Sequence, residues 1–209
     1  MSIKVKNITK QFGSQKALNN VSFSVNRPEI VGFLGPNGAG KTTTFHIIVG
    51  LMRPDTGSIH VDKINVSNLP IYLRGQKGIS YLPQEASIFR GMNVEDNLMS
   101  IIEIVETDKS KHQILLENLL NEFDITHVRK SKSIILSGGE RRRLEIARTV
   151  ASKPSYLLLD EPLTGIDPVS IEEIKLIIKK LKRKNIGILI TDHNVRETLK
   201  IVDKVYIVN

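Results

Sequence analysis

Apolar positions along the 209-residue chain change their period from one stretch to the next, and each period predicts a different element. Ile30–Leu34 is a short apolar run that stops at Gly35, and a helical stretch over 41–51 follows directly: strand, glycine loop, helix, one half of a βαβ unit. Runs at 78–82, 156–159 and 186–190 are apolar without alternation, the pattern of strands buried on both faces of a parallel sheet. Near the start, Val5, Ile8, Val21, Phe23 and Val25, and later Ile59 and Val61, alternate with polar residues and predict antiparallel strands beside that sheet. Between Gln84 and Ser137 the period becomes helical: Val94, Leu98, Ile101, Ile102 and Val105, then Leu115, Leu116, Leu119, Leu120 and Phe123. A helical subdomain inserted over about 87–136 follows from this change. At 167 a further helix opens, with Asp167 as N-cap, Pro168 at the first position, Glu172 and Glu173 in its first turn, and lysines over 179–184 closing it.

Length adds that the whole of 1–209 reads as one domain, because domains run to roughly 150 residues. A composition of 40% hydrophobic and 25% charged residues is that of a globular protein and excludes disordered or collagen-like classes. The absence of cysteine excludes disulfide frameworks, thiol nucleophiles, iron–sulfur clusters and cysteine-based zinc sites, and fits a reducing compartment. His46, His60, His112, His127 and His193 show no metal-ligand spacing. Lysines interrupt every apolar run of the first ten residues, and nowhere do 18 apolar residues follow one another, so no signal core or membrane span is expected. The formal charge of +8 admits nucleotide, nucleic acid or acidic lipid as partner. The densest basic cluster, 179–184, is accounted for as a dipole-matched helix end, so no nucleic-acid partner is expected.

Candidate chemistry sits at the carboxyl ends of the apolar strands. Gly35, Pro36, Asn37, Gly38, Ala39, Gly40, Lys41 and Thr42 fit G-x-x-x-x-G-K-[ST] between a strand and a helix, the context that a phosphate-binding loop needs; with Thr43 they form the expected ATP-binding set. Glycines let successive N–H groups turn inward, the helix N-terminus adds positive potential, Lys41 reaches the β and γ phosphates and Thr42 offers its hydroxyl to Mg²⁺. The strand over 156–159 ends in Asp160 and Glu161, whose side chains face opposite ways if the extended backbone continues. Asp160 would then hold Mg²⁺ through water while Glu161 acts as general base; the alternative is a pair of solvated acids. An open parallel sheet binds ligands at this edge, and here the edge presents the glycine loop, Gln84, Asp160, Glu161 and His193. Together these observations predict an α/β fold: a P-loop NTPase parallel-sheet core with an antiparallel β flank and an inserted α-helical subdomain.

With these residues in place the chain resembles the nucleotide-binding subunits of ABC transporters over essentially its whole length. Leu136, Ser137, Gly138, Gly139 and Glu140 look like their signature motif, Gln84 like their Q-loop, 163–167 like their D-loop and His193 like their switch histidine. The signature has its own physics: Ser137 can cap a helix beginning at Gly138, and the two glycines leave backbone N–H groups open to a phosphate. Leu144, Ala147 and Ala151 face inward along that helix, and Arg141, Arg142 and Arg143 can be solvated, bridge to Glu140 or meet a partner, with the solvated reading preferred. The resemblance implies a second copy in a head-to-tail dimer enclosing two ATP, with each signature acting on nucleotide held by the other. It further implies that Phe12 stacks on adenine rather than filling a core, that Lys41, Gln84, Glu161 and His193 serve catalysis, that Thr42, Gln84 and Asp160 attend Mg²⁺, and that Asp167 joins the dimer contact.

The strings over 81–90, 137–143 and 190–199 are most similar to the branch of this family that drives lipopolysaccharide export. That similarity implies a motor peripheral to the cytoplasmic face of the inner membrane, with Phe89 and Arg90 lining a groove for the coupling helices of two integral membrane permease subunits. A different transported substrate is the alternative, followed by a nucleic-acid-associated ABC ATPase. Pro28 and Thr164 depart from the family pattern, Thr164 leaving some dimer contacts in question. The sequence ends at Asn209, just after an apolar strand over 205–208, where relatives continue, and lower stability is expected from that.

Overall fold

The computed structural model describes residues 1–208; the expectation attached to Asn209 lies outside them. The chain opens with β1 (Ser2–Phe12), β2 (Gln15–Asn26) and β3 (Ile30–Leu34), then α1 (Lys41–Val49), β4 (Thr56–Val61), β5 (Ile64–Asn65), α2 (Ile71–Gln76) and β6 (Ile79–Leu82). There follow α3 (Val94–Val105), α4 (His112–Glu122), α5 (Gly138–Ala151), β7 (Tyr156–Asp160), α6 (Pro168–Arg183), β8 (Gly187–Thr191), α7 (Val195–Leu199) and β9 (Lys204–Ile207). Three short 3-10 helices lie between 109 and 135.

The strands form two sheets. One is parallel, in the order β6-β7-β8-β3-β9; the other is antiparallel, in the order β2-β1-β4-β5. Every residue of β3, β7 and β8 is buried, which is why those runs carry no alternation. Alternation reappears in where the side chains go. Leu157, Leu159, Ile188 and Ile190 join a core with Leu98, Ile102, Leu116 and Leu120 of α3 and α4, with Phe123 just after α4, and with apolar residues of α5 and α6. Tyr156, Leu158 and Leu189 face the other way, against α1 and the inner face of the antiparallel sheet. The helical segment thus shares one core with the sheet. Val5, Ile8, Phe23, Val25, Ile59 and Val61 are buried as the alternation predicts.

Element ends follow local chemistry, and several differ from the sequence expectation. β6 starts one residue later than 78 because Gly78 has φ +86°, outside extended backbone, and α1 stops at Val49 because Gly50 turns left-handed. β8 and β9 are each displaced by one residue from the predicted runs. Asp167 caps α6 as expected, its carboxylate accepting from the N–H groups of Val169 and Ser170 at 3.0 Å each. Glu172 and Glu173 are not in the first turn of α6. Both are ion-paired instead, Glu172 with the buried Lys175 at 2.6 Å and Glu173 with Arg143. Pro28 follows a cis peptide bond.

Candidate active site

The loop between β3 and α1 closes on itself through Lys41. Its ammonium, 7% exposed, donates to the carbonyls of Gly35 and Pro36 at 2.8 Å each. Gly40, at the N-cap of α1, has φ +80°, and a Cβ there would lie 2.5 Å from the Ala17 carbonyl oxygen, so only glycine fits. α1 has no side-chain cap. Its first N–H groups therefore stay free to meet an anion.

A cavity of about 320 Å³ opens over this loop, lined by Asn37, Gly38, Gly40, Lys41, Thr42, Thr43, Gln84, Glu161 and His193, with Ala17 from β2. Four separate segments, the loop running into α1 and those bearing Gln84, Glu161 and His193, meet at the carboxyl edge of the parallel sheet, and β2 of the other sheet adds Ala17. Gly35, Pro36 and Ala39 belong to the same loop but do not line the cavity, and Phe12 stands half exposed at the end of β1 with the Lys10 ammonium 5.7 Å from its ring centroid.

Asp160 and Glu161 do face different neighbours. Asp160 continues the parity of Tyr156 and Leu158; it is 1% exposed, accepts from the Tyr81 hydroxyl at 3.1 Å through Oδ2, and its Oδ1 has no partner among the described residues. Burial raises its pKa above the usual carboxylate range; the Tyr81 bond opposes that rise and the Glu161 charge adds to it. The Tyr81 phenol is itself pushed upward, by burial first and by Asp160 second, and stays a donor.

Glu161 holds φ +51°, costly for a residue with a Cβ, at about 1–3 kcal/mol, and retained only where surroundings over-determine it. Its N–H donates to the Thr191 carbonyl at 2.8 Å and its own carbonyl accepts from Arg142 at 2.9 Å. The turn swings the carboxylate onto His193, with Oε1 2.6 Å from Nε2, while Oε2 is buried without a partner. Asp192, 2% exposed, accepts from the N–H groups of Leu163 at 2.8 Å and Asn194 at 2.9 Å and from the Thr164 hydroxyl at 3.3 Å. It ties the segment after Glu161 to the segment bearing His193.

Arg142 and Arg143 overturn the expectation of a solvated arginine run. They are 6% and 7% exposed, and only Arg141 faces solvent. α5 is enclosed on nearly all sides, so it has no broad polar face on which the run could lie. The Arg142 guanidinium reaches the carbonyls of Asp160 at 3.1 Å, Glu161 at 2.9 Å, Pro162 at 3.1 Å and Pro83 at 3.4 Å, and the Glu145 carboxylate at 2.8 Å. One sequence signal was available: Glu145 stands within the otherwise apolar stretch 144–147, and a buried acid on a helix needs a cation three or four residues away.

Ser137 through Glu140 are not at the cavity. Ser137 and Glu140 form a reciprocal capping box at the start of α5, the Glu140 carboxylate accepting from the Ser137 N–H at 2.8 Å. Gly139 packs against α6: a Cβ there would sit 2.1 Å from the Ser170 hydroxyl. Asp167 lies beside this region, occupied with capping α6. Phe89 and Arg90 are exposed and also lie off the cavity. Asn97, fully buried, fixes the Phe89 backbone at both ends, accepting from its N–H at 2.9 Å and donating to its carbonyl at 3.0 Å. The Arg148 guanidinium stacks 4.5 Å from the Phe89 ring centroid and also borders a second groove of about 320 Å³ with Ile71, Tyr81, Ser87 and Ile101.

Comparison with known proteins agrees with this geometry. The family described as "ABC transporter" matches residues 18–164. A probable ABC transporter ATP-binding protein of Azorhizobium caulinodans is 54% identical over 97% of this chain and 72% of its own length. The lipopolysaccharide export system ATP-binding protein LptB of Escherichia coli K12 is 48% identical over all of this chain and 87% of its own. Among solved structures, the ADP conformation of an ATP-binding cassette of an ABC transporter superposes with a TM-score of 0.88 at 29% identity, covering all of this chain and 87% of that one. The loop that cradles phosphate, the two buried carboxylates beside it and these relatives lead to one conclusion: the chain belongs to the ABC transporter family, as an ATP-binding cassette that binds adenine nucleotide and hydrolyses ATP.

Proposed function

We propose that this chain is the ATP-hydrolysing subunit of a lipopolysaccharide exporter, working from the cytoplasmic face of the inner membrane through two integral membrane permease subunits. The observation that carries the transport assignment is the 45–51% identity to LptB proteins of several bacteria over nearly the full chain. Among the described residues no helix is long and apolar enough to cross a membrane, which accords with permeases supplied by other chains.

For hydrolysis, Lys41 transfers its ammonium from the loop carbonyls to the β and γ phosphates. Glu161 takes a proton from the attacking water, and its contact with His193 keeps both groups beside the γ-phosphate. Mg²⁺, when bound, would neutralise phosphate charge. The groups fit it: the donors available at Asp160, Thr42 and Gln84 are all oxygens, as a hard divalent cation requires, and the unpartnered Oδ1 of Asp160 suits an ordered metal-bound water. Phe12 stacks on adenine. Ser137, Gly138, Gly139 and Glu140 complete the site of a second copy across an ATP-sandwich dimer, with Asp167 at the same contact; their distance from this chain's own cavity supports that arrangement. Phe89, Arg90 and the groove beside Arg148 receive the permease coupling helices. The whole chain, 1–209, acts as one ATPase domain with its helical subdomain over about 87–136, a reading supported by their common core.

Affinity purification of the chain from native membranes tests the assignment. Two permease subunits should co-elute, and ATP added to the reconstituted complex should release lipopolysaccharide. Recovery of permeases that move another solute would favour the alternative substrate, to which relatives named only as ABC transporter ATP-binding proteins at 51–54% identity give standing.

A further inference from the structure

We infer that Arg142 is a positioning residue for ATP hydrolysis: its buried guanidinium sets the backbone that carries Asp160 and Glu161 and ties it to the segment that carries Gln84. The inference rests on the reading of Glu161 as general base. Three consecutive carbonyls, of Asp160, Glu161 and Pro162, accept from this one group, and a fourth, that of Pro83 immediately before Gln84, accepts from it at 3.4 Å. Those carbonyls span the two carboxylates and the point where the backbone leaves extended geometry at φ +51°. A planar fork of five donors can serve acceptors arranged this way, whereas an ammonium cannot.

The counter-charge supports a directional role. Glu145, one turn along α5, is the carboxylate that Arg142 contacts, at 2.8 Å, and its second oxygen has no partner among the described residues. Were charge balance the only purpose, an apolar pair would serve the enclosed helix at least as well. The guanidinium instead spends four of its contacts on the catalytic backbone. Arg142 also lies in the first turns of the helix that Ser137 caps and Gly138 and Gly139 begin, so one side chain joins the signature end of α5 to the backbone of Glu161 and of Pro83. The signature and the base of one chain are thereby connected through a single buried side chain.

The test uses the full-length chain, in complex with its permeases where those are needed for activity. Arg142→Lys keeps the cation beside Glu145 but loses the carbonyl fork. Its kcat should fall about a hundredfold, the scale expected when a reacting group is misplaced by about 1 Å, with KM for ATP within a factor of two of wild type. The double variant Arg142→Met/Glu145→Met removes the ion pair at similar volume. It should recover thermal stability without recovering kcat, a separation that a structural role would not produce. Added to Glu161→Gln, Arg142→Lys should cause no further loss, because it acts through Glu161. A wild-type kcat in folded Arg142→Lys, or a raised KM at unchanged kcat, would overturn the inference, as would recovery of kcat in the double Met variant. If Glu161→Gln alone keeps its rate, the general-base reading falls by itself; if it collapses while Arg142→Lys does not, only the present inference falls.

Discussion

Replacing Asp160 by Asn should stabilise the nucleotide-free chain while disabling it. Asp160 is almost wholly enclosed, one oxygen holds a single bond from Tyr81, and the other has none. An unsatisfied buried polar group costs about 1–3 kcal/mol. Asn keeps the shape and the acceptor for Tyr81; its amide nitrogen inherits the unpartnered position, but the charge that burial penalises is gone, so the larger, charge-borne part of the cost is relieved. For a chain of this size each kcal/mol moves Tm by about 2–4 °C, so a rise of about 3–10 °C is expected in buffer with chelator and without nucleotide at pH 7.5. The pH dependence has a definite sign. Because the folded-state pKa of Asp160 is raised, its contribution is fully favourable below the unfolded carboxyl value near 3.9 and is lost as pH rises through the folded value. The gap between variant and wild type should therefore narrow as the pH falls toward 4. MgATP should then stabilise the wild type far more than the variant. Differential scanning calorimetry at several pH values reads all of this. A variant no more stable than wild type at pH 7.5, or a gap that widens on acidification, would refute the desolvation argument.

Glu161→Gln should bind ATP with near wild-type affinity by calorimetry, lose nearly all phosphate release, and accumulate as an ATP-dependent dimer in light scattering; hydrolysis at wild-type rate would remove Glu161 as the base. Phe89→Ala and Arg90→Ala should leave ATP binding to the isolated chain unchanged and weaken co-purification of the permeases. Loss of nucleotide affinity with the complex intact would place those side chains at the nucleotide instead.

What the sequence made legible is what local chemistry determines. The loop over 35–42 could be read because glycine spacing, a preceding apolar strand and a following helix are all local, and Ser137 because a capping box spans only four residues. The two carboxylates followed from strand parity, although the left-handed turn at Glu161 that aims it at His193 did not. Buried arginines were the systematic miss. Arg142 serves carbonyls 18 to 59 residues away in sequence, and Arg74 similarly caps α1 by donating to the carbonyls of Ile47 at 2.6 Å and Ile48 at 2.8 Å. Burial lowers the Arg74 pKa to about 10, a level at which it still carries its charge at neutral pH. No periodicity marks such residues, because their acceptors are backbone atoms that any side chain can follow. Glu172 differs in kind: with Pro168 as the first helical residue it is the fifth, one position past the first turn, and it pairs with Lys175 three residues on.

Lys41 gives the phosphate loop a resting occupant of its own. An arriving anion meets the free amides at the start of α1 at once, but with the ammonium on the Gly35 and Pro36 carbonyls it gains the lysine only by displacing two charge-assisted bonds. A lone phosphate offers the lysine little more than it surrenders. A di- or triphosphate engages the lysine and the helix terminus together, and its gain grows with each linked phosphoryl group. Discrimination by chain length of the polyphosphate is therefore built into the resting loop before any nucleotide base is read.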